Sequence, residues 1–201
     1  MPMLSPNSPL PGYLTTQVVT RSGEVALIRP LQAEDAESLG IYFAGLSPES
    51  RSRYGPHPFD QATADAICAN LAPLEMLRMI AVVAHAEESA IVAYVLLKDG
   101  VLEGDRERYE RLGIPLNPAT DCTLAPSVLD SYQNQGIGSL MMRHVLESAK
   151  RLGYKRVVLW GGVQSTNLRA VHLYKKFGFV KVGEFHTGID NDDMILDLAS
   201  R

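Results

Sequence analysis

The stretch SYQNQGIGSLMMRHVLESAKRLG, Ser131 to Gly153, constrains the fold more than any other in this 201-residue chain. Its second half reads as an amphipathic helix, with Ile137, Met141, Val145 and Leu152 on one face, Lys150 and Arg151 in the last turn and Gly153 as C-cap. Its first half opens that helix with Gly136 and Gly138, although glycine costs roughly 1 kcal/mol per interior helical position relative to alanine. A strand-like run, DCTLAPSVL, precedes it and KRVVLW, a buried strand, follows. A helix N-terminus offers unpaired N–H groups and about half a positive charge. Glycine removes the Cβ that would hold a bulky pyrophosphate away from those amides. The glycines alone fit either an anion-binding loop or a tight strand-to-helix turn. They make no Walker loop, because no Gly-Lys-Ser/Thr follows. They make a poor dinucleotide fingerprint, because the third glycine falls at Met141.

The remaining segments alternate in kind. TTQVVTRSGEVALIRPL predicts two strands around a Ser22-Gly23 turn. QAEDAESLGIYFAGL predicts a helix with Leu39, Tyr42, Phe43 and Leu46 on one side and an acidic first turn. Ser47-Pro48 starts a short helix, and Asp60 to about Leu71 is a further one. MIAVVAH and AIVAYVLL are strands separated by the polar AEES, and FVKVGEF with DMILDL forms a final pair. Helices between strands, with hairpins at both ends, give an α/β mixed sheet. Residues 1–13, rich in Pro and Ser, are expected to be a flexible tail on a single domain over 14–201. Residues 98–120, which hold the charged helix EGDRERYERLG, are expected to be an insertion between two strands.

Several function classes are excluded at this level. A net charge of -4 and the lack of a basic stripe argue against nucleic acid. Cys68 and Cys122 give no disulfide framework and no zinc spacing, which fits a reducing cytoplasm. The N-terminus has no signal-peptide pattern, and no apolar run is long enough to span a membrane. The histidines (His57, His85, His144, His172, His186) have no metal-ligand spacing. Asp190 to Asp193 fails the EF-hand pattern and reads as a solvated hairpin turn.

Gln133-x-x-Gly136-x-Gly138 resembles the pyrophosphate loop of the GNAT superfamily of acetyl-CoA-dependent N-acetyltransferases. Downstream, NLRAVHLYKKFGF places Asn167, Ala170, Leu173, Tyr174, Gly178 and Phe179 as in that family's Asn-x-x-Ala-x-x-Leu-Tyr-x-x-x-Gly-Phe helix. The resemblance covers about Thr123 to Leu198 and, more weakly, the N-terminal ALIRPLQAEDAESL. It implies a mixed, mostly antiparallel central sheet with helices on both faces and a splayed parallel strand pair. Pro126 and Gly161-Gly162 sit where that splay belongs, since proline removes a ladder donor and glycine suits a break in pairing. The resemblance further implies acetyl-CoA as acyl donor. Ser127 and Val128 would hold the pantetheine through backbone. Gln133, Asn134, Gln135, Gly136, Ile137, Gly138 and Ser139 would hold the pyrophosphate, and Asn167 would touch the cofactor.

The chemistry so implied is direct transfer of an acetyl group to a primary amine in a ternary complex, without a metal. Tyr174 matches the family tyrosine that acts as general acid toward the CoA sulfur, and a backbone N–H near Val128 would meet the oxyanion. A core tyrosine is the alternative role for Tyr174. A base should neutralise the amine. Where the family often has a strand glutamate, this chain has Thr123. Asp121 is the remaining candidate on that face, with Glu184 and Tyr132 further ones, and its alternative role is a solvated acid at a strand start. Cys122 lacks an activating neighbour and reads as a small buried hydrophobe. EGDRERYER reads as an exposed helix that, as an insertion, could cover the acceptor cleft or meet a second subunit. Family members often form homodimers. Two rivals stand beside the enzyme reading: a non-catalytic acyl-CoA-binding sensor of the same fold, and another phosphate-ligand enzyme.

Overall fold

The computed structural model describes residues 9–84 and 89–199. Most of the expected tail (1–8) and most of the AEES turn lie outside them. Antiparallel strands β1 (Thr16–Val19), β2 (Val25–Pro30), β3 (Met76–Ala84) and β4 (Ser89–Asp99) pair in chain order, and β5 (Asp121–Val128) adds antiparallel to β4. The next strand, β6 (Arg156–Leu159), runs parallel to β5, because helix α5 (Ile137–Arg151) carries the chain back between them. β9 (Asp190–Asp197) pairs with β6 and the short β7 (Val163–Gln164) along one edge and with β8 (Val180–His186) along the other, all antiparallel. The sheet is therefore mostly antiparallel with one parallel pair.

Alternation along the strands builds a core on each face. Leu77, Met79, Ala81 and Val83 of β3 face one side, with Ile137, Met141 and Val145 of α5 and Tyr174 of α6 (Leu168–Lys176). Ile80 of β3 and Tyr94 and Leu96 of β4 face the other, against Leu39, Tyr42 and Phe43 of α1 (Ala36–Gly45) and Ala64 and Ile67 of α3 (Gln61–Ala69). Local rules set the helix starts. Ser47 Oγ accepts the Ser50 N–H to cap α2 (Pro48–Ser52), which has proline in its first turn, and Asp60 caps α3 through Thr63. Among the described residues no helix is long and apolar enough to cross a membrane.

Three expectations change in the structure. Gly12 and Tyr13, the last two residues of the stretch read as tail, share a 3-10 turn with Leu14, the first residue of the expected domain, which is fully buried. Helix α4 (Glu103–Arg111) forms where expected but buries Asp105 and Tyr109. Its Arg108 holds both Asp105 and Asp193 and stacks on the Phe185 ring at 3.8 Å. Asp190 to Asp193 are not a solvated turn but the start of β9. There Asp193 is 2% exposed against Arg108, and Asp192 accepts from Ser165 Oγ at 2.6 Å and pairs with Lys181. Ion pairing offsets part of the solvation penalty of burying these carboxylates.

Candidate active site

The parallel pairing of β5 with β6 stops early. It runs from Asp121↔Arg156 to Leu124↔Leu159, and its last bond is Trp160 N–H to Leu124 O at 2.9 Å. Gly161 and Gly162 then turn the second strand away in left-handed backbone (φ 61° and 69°), toward β7. A Cβ at Gly162 would sit 2.8 Å from the Asp192 carbonyl, so close approach as well as conformation requires glycine there. β5 continues beside β4 to Val128, and the divergence opens a cleft of about 480 Å³. One wall is Leu124 to Val128, and the other includes Trp160, Gly162 and Val163.

The alternation of an antiparallel ladder decides which β5 groups face this cleft. Leu129 N–H bonds Val92 O on β4, while Leu124 O bonds Trp160 on the other side. Ser127 therefore points its backbone at β4, whereas Pro126 and Val128 present theirs to the cleft. Pro126 thus costs the β4 ladder nothing. Ser127 is engaged twice more, its hydroxyl meeting Tyr42 Oη at 2.8 Å and Tyr94 O at 3.3 Å. Of the two residues expected to offer backbone, Val128 turns its N–H to the cleft and Ser127 turns its N–H to β4. The Val128 carbonyl already accepts from Gln133 Nε2 at 3.0 Å.

The loop beyond β5 ends at the α5 N-terminus in the same cleft, where Gln133, Asn134, Gly136, Gly138 and Ser139 line it. Asn134 (φ 62°) and Gly136 (φ 92°) are both left-handed, which turns successive amides to one side. The N–H groups of Asn134, Gln135, Gly136, Ile137 and Gly138 have no acceptor among the described residues, whereas Ser139 and Leu140 already donate to Gly136 O. The Gln135 and Ile137 side chains do not line the cleft; Ile137 is in the core, so these two offer backbone only. The two glycines have different causes. Gly136 is dictated by its φ. At Gly138 a Cβ would make ordinary contacts, 3.5 Å to Val128 Cγ2 and 3.8 Å to Leu173 Cδ2, so the chain's own packing does not require glycine.

Tyr174 lines the cleft from α6, packed on Phe179 with ring centroids 5.4 Å apart. Burial pushes its hydroxyl pKa up, and that hydroxyl has no hydrogen-bond partner among the described residues. Asn167 also lines the cleft, where it caps α6 through Ala170 N–H and accepts from Arg53 at 3.4 Å. Asp121 is elsewhere. It starts β5, about 23 Å of strand from Val128 at 3.3 Å per residue, is fully buried, and is ion-paired with Arg156 at 2.5 Å. It also accepts the Asn117 N–H at 2.7 Å. With every approach filled, Asp121 holds the sheet end together and is not brought to the cleft. Thr123 is equally closed, its hydroxyl donating to Gly100 O at 3.0 Å, and Glu184 does not line the cleft. Cys122 is buried, and burial with nearby Asp121 and Asp99 pushes its thiol pKa well up.

The far wall of the cleft carries no motif in the sequence. Glu49, Arg53 and Tyr54 line the cleft from α2 and the segment after it. This segment ties to both sides of the splay, with Ser50 accepting from Gln133 at 3.3 Å and the Ser52 carbonyl accepting from Gln164 at 3.0 Å. Asp130 anchors it by accepting from the Ser47 N–H and the Ser47 and Ser50 hydroxyls. Burial works to raise the Asp130 pKa, but those hydrogen bonds outweigh it and hold the carboxyl low. His57 lies behind, its ring 5.7 Å from Tyr94 and its pKa lowered by burial. Arg21, Arg53, Arg169 and Lys176 line a cleft whose acids are Glu49 and Asp130, so an acidic chain carries a cationic site. Net charge could not reveal that. Among the described residues no group of three His, Cys, Asp or Glu is placed to hold a metal.

Known proteins share this fold. Residues 52–179 match the acetyltransferase (GNAT) family. An acetyltransferase of Pseudomonas aeruginosa is 27% identical over 139 residues, 67% of this chain and 65% of that relative, so the matched part spans just under two thirds of it. The GNAT domain of PAT from S. lividans superposes with a TM-score of 0.73 at 21% identity, over 94% of this chain and 99% of that one. Mycobacterium smegmatis RimJ, in complex with CoA-disulfide, gives 0.68 at 13% identity, over 92% and 88%. Salmonella typhimurium yncA, with its cofactor acetyl-CoA, gives 0.61 at 17%, over 86% and 94%.

Proposed function

Since the chain belongs to the GNAT family, whose acetyltransferases take their acyl group from acetyl-CoA, we propose that it moves an acetyl group from acetyl-CoA to a primary amine by direct attack within a ternary complex. The observation that carries this reading is the row of unsatisfied amides from Asn134 to Gly138 opening onto the same cleft as the unpartnered Tyr174 hydroxyl. A diphosphate fits those amides, which lie at the positive end of α5. Pantetheine fits the exposed edge of β5 at Val128. There the cleft-facing N–H is also placed to stabilise the oxyanion that forms as the amine adds to the thioester carbonyl.

Proton movement follows from the side chains present. Burial keeps the Tyr174 hydroxyl protonated at neutral pH, and the same burial makes a departing thiolate more basic than in water. The match between donor and acceptor is therefore retained, and Tyr174 acts as general acid or hydrogen-bond donor to the sulfur. The acids that line the cleft are engaged, Glu49 by Arg53 and Asp130 by the serines. The amine accordingly loses its proton to water. This lack of a free carboxylate is also what favours a second reading, an acyl-CoA sensor without turnover.

Release of free thiol from acetyl-CoA, followed over a panel of amines for wild type and Tyr174→Phe, separates the two. Enzyme predicts amine-dependent release that falls about 10²- to 10⁴-fold in the variant, while its acetyl-CoA affinity is kept. Tight binding with no release for any amine would favour the sensor.

A further inference from the structure

The β1–β2 turn reaches across to the loop that opens α5. Arg21 N–H donates to Gln135 O at 3.4 Å. Its side chain lies over Gly136 so closely that a Cβ there would be 3.3 Å from Arg21 Cγ and 3.5 Å from Nε. Three residues further along the chain from Gly136, Ser139 Oγ accepts from Nζ of Lys176, the last residue of α6, at 3.0 Å. Arg29, Arg53, Arg108, Arg151, Arg156 and Lys181 each hold a carboxylate, but among the described residues Arg21 and Lys176 hold none. Two uncompensated cations thus flank amides that themselves lack acceptors.

We infer that Arg21 and Lys176 form a two-sided clamp on the diphosphate of the CoA-type ligand, with the N-terminal hairpin supplying one jaw. The inference rests on the CoA reading above. Amides alone bind an anion with little discrimination of its length, whereas cations on either side of them match the two charged phosphates of a diphosphate. The guanidinium fork suits two oxygens of one phosphate, and the ammonium acts as a point charge on the other. The arrangement also explains why a turn so far from the motif in sequence lies against it.

Calorimetric titration with CoA and with dephospho-CoA, which lacks the 3′-phosphate, tests this in wild type, Arg21→Gln and Lys176→Gln. Both residues are exposed, and Arg21→Gln keeps the backbone bond to Gln135, so melting temperatures should be unchanged. The clamp predicts about tenfold weaker binding of both ligands in each variant, with a shallower dependence on salt. Arg21→Lys should recover part of the loss. Unchanged affinity in Arg21→Gln, or a loss confined to CoA, would overturn the assignment while leaving the CoA reading intact. A wild type that binds neither ligand would defeat the CoA reading itself.

Discussion

Replacing Gly138 with alanine should make this chain more stable and a poorer binder of CoA, a combination that packing alone does not produce. Gly138 is the second residue of α5, and its φ is not in the left-handed region. The added methyl would meet only Val128 Cγ2 at 3.5 Å and Leu173 Cδ2 at 3.8 Å, both at ordinary contact distance. Alanine is favoured over glycine in a helix by up to about 1 kcal/mol, and less in the first turn. For a chain of this size that raises Tm by about 1–4 °C. The same methyl stands where a phosphate would approach the Gly138 amide. Loss of one hydrogen bond to a charged group costs about 1.5–3 kcal/mol, or about ten- to hundredfold in Kd. Thermal melts and acetyl-CoA titration on one preparation read both numbers. A higher Tm with unchanged affinity would leave the glycine without a ligand-based cause. Gly136→Ala serves as contrast: its φ of 92° makes any side chain strained, so Tm should fall.

Asp121→Asn should destabilise the fold by about 3–5 kcal/mol, because it leaves Arg156 without its buried partner. Where the variant is still folded, its turnover per folded molecule should match wild type; a selective loss of turnover would return Asp121 to the mechanism. Tyr54→Phe removes a buried hydroxyl that has no hydrogen-bond partner among the described residues, so a denaturant melt should show equal or greater stability, by up to about 1 kcal/mol. A clear loss would mean that the hydroxyl has a partner in solution. Burial raises the pKa of Tyr42, Tyr94 and Tyr174 above the unfolded value of about 10. Their contribution to stability is therefore complete below pH of about 10 and lost above it, as the unfolded chain ionises and the folded chain does not. kcat/KM should rise with pH as the acceptor amine deprotonates and should show no descending limb before alkaline unfolding. A descending limb near neutrality would assign proton donation to a group other than Tyr174.

The parts legible in the sequence are those set by local periodicity and backbone chemistry. Helix α5 reads from its apolar spacing, and the break after β6 reads from Gly161-Gly162. What escaped depends on partners distant in the chain. Asp193 looks like a solvated acid until Arg108, from a helix that looks fully exposed, is placed against it. Asp121 has the right strand and face for a base, yet Arg156 and the Asn117 amide close it off. Ser127 and Val128 are adjacent in sequence, and only the ladder phase, fixed by the bond from Leu129 to Val92, separates the backbone turned to β4 from the backbone turned to the cleft. Arg21 gives no signal at all in a Ser-Gly hairpin turn, since its role comes from where that hairpin lands.

In the proposed reaction the acetyl group passes directly from CoA to the amine in this cleft. Single-turnover mixing of the chain with acetyl-CoA labelled in the acetyl group, with and without an amine that supports thiol release, tests it most directly. Direct transfer predicts that label moves into the amine at the rate of thiol release, with no labelled protein at any time point. Both cysteines among the described residues are buried and neither lines the cleft. Label that accumulates on the protein before it reaches the amine would contradict direct transfer, and label that never leaves CoA would contradict catalysis altogether.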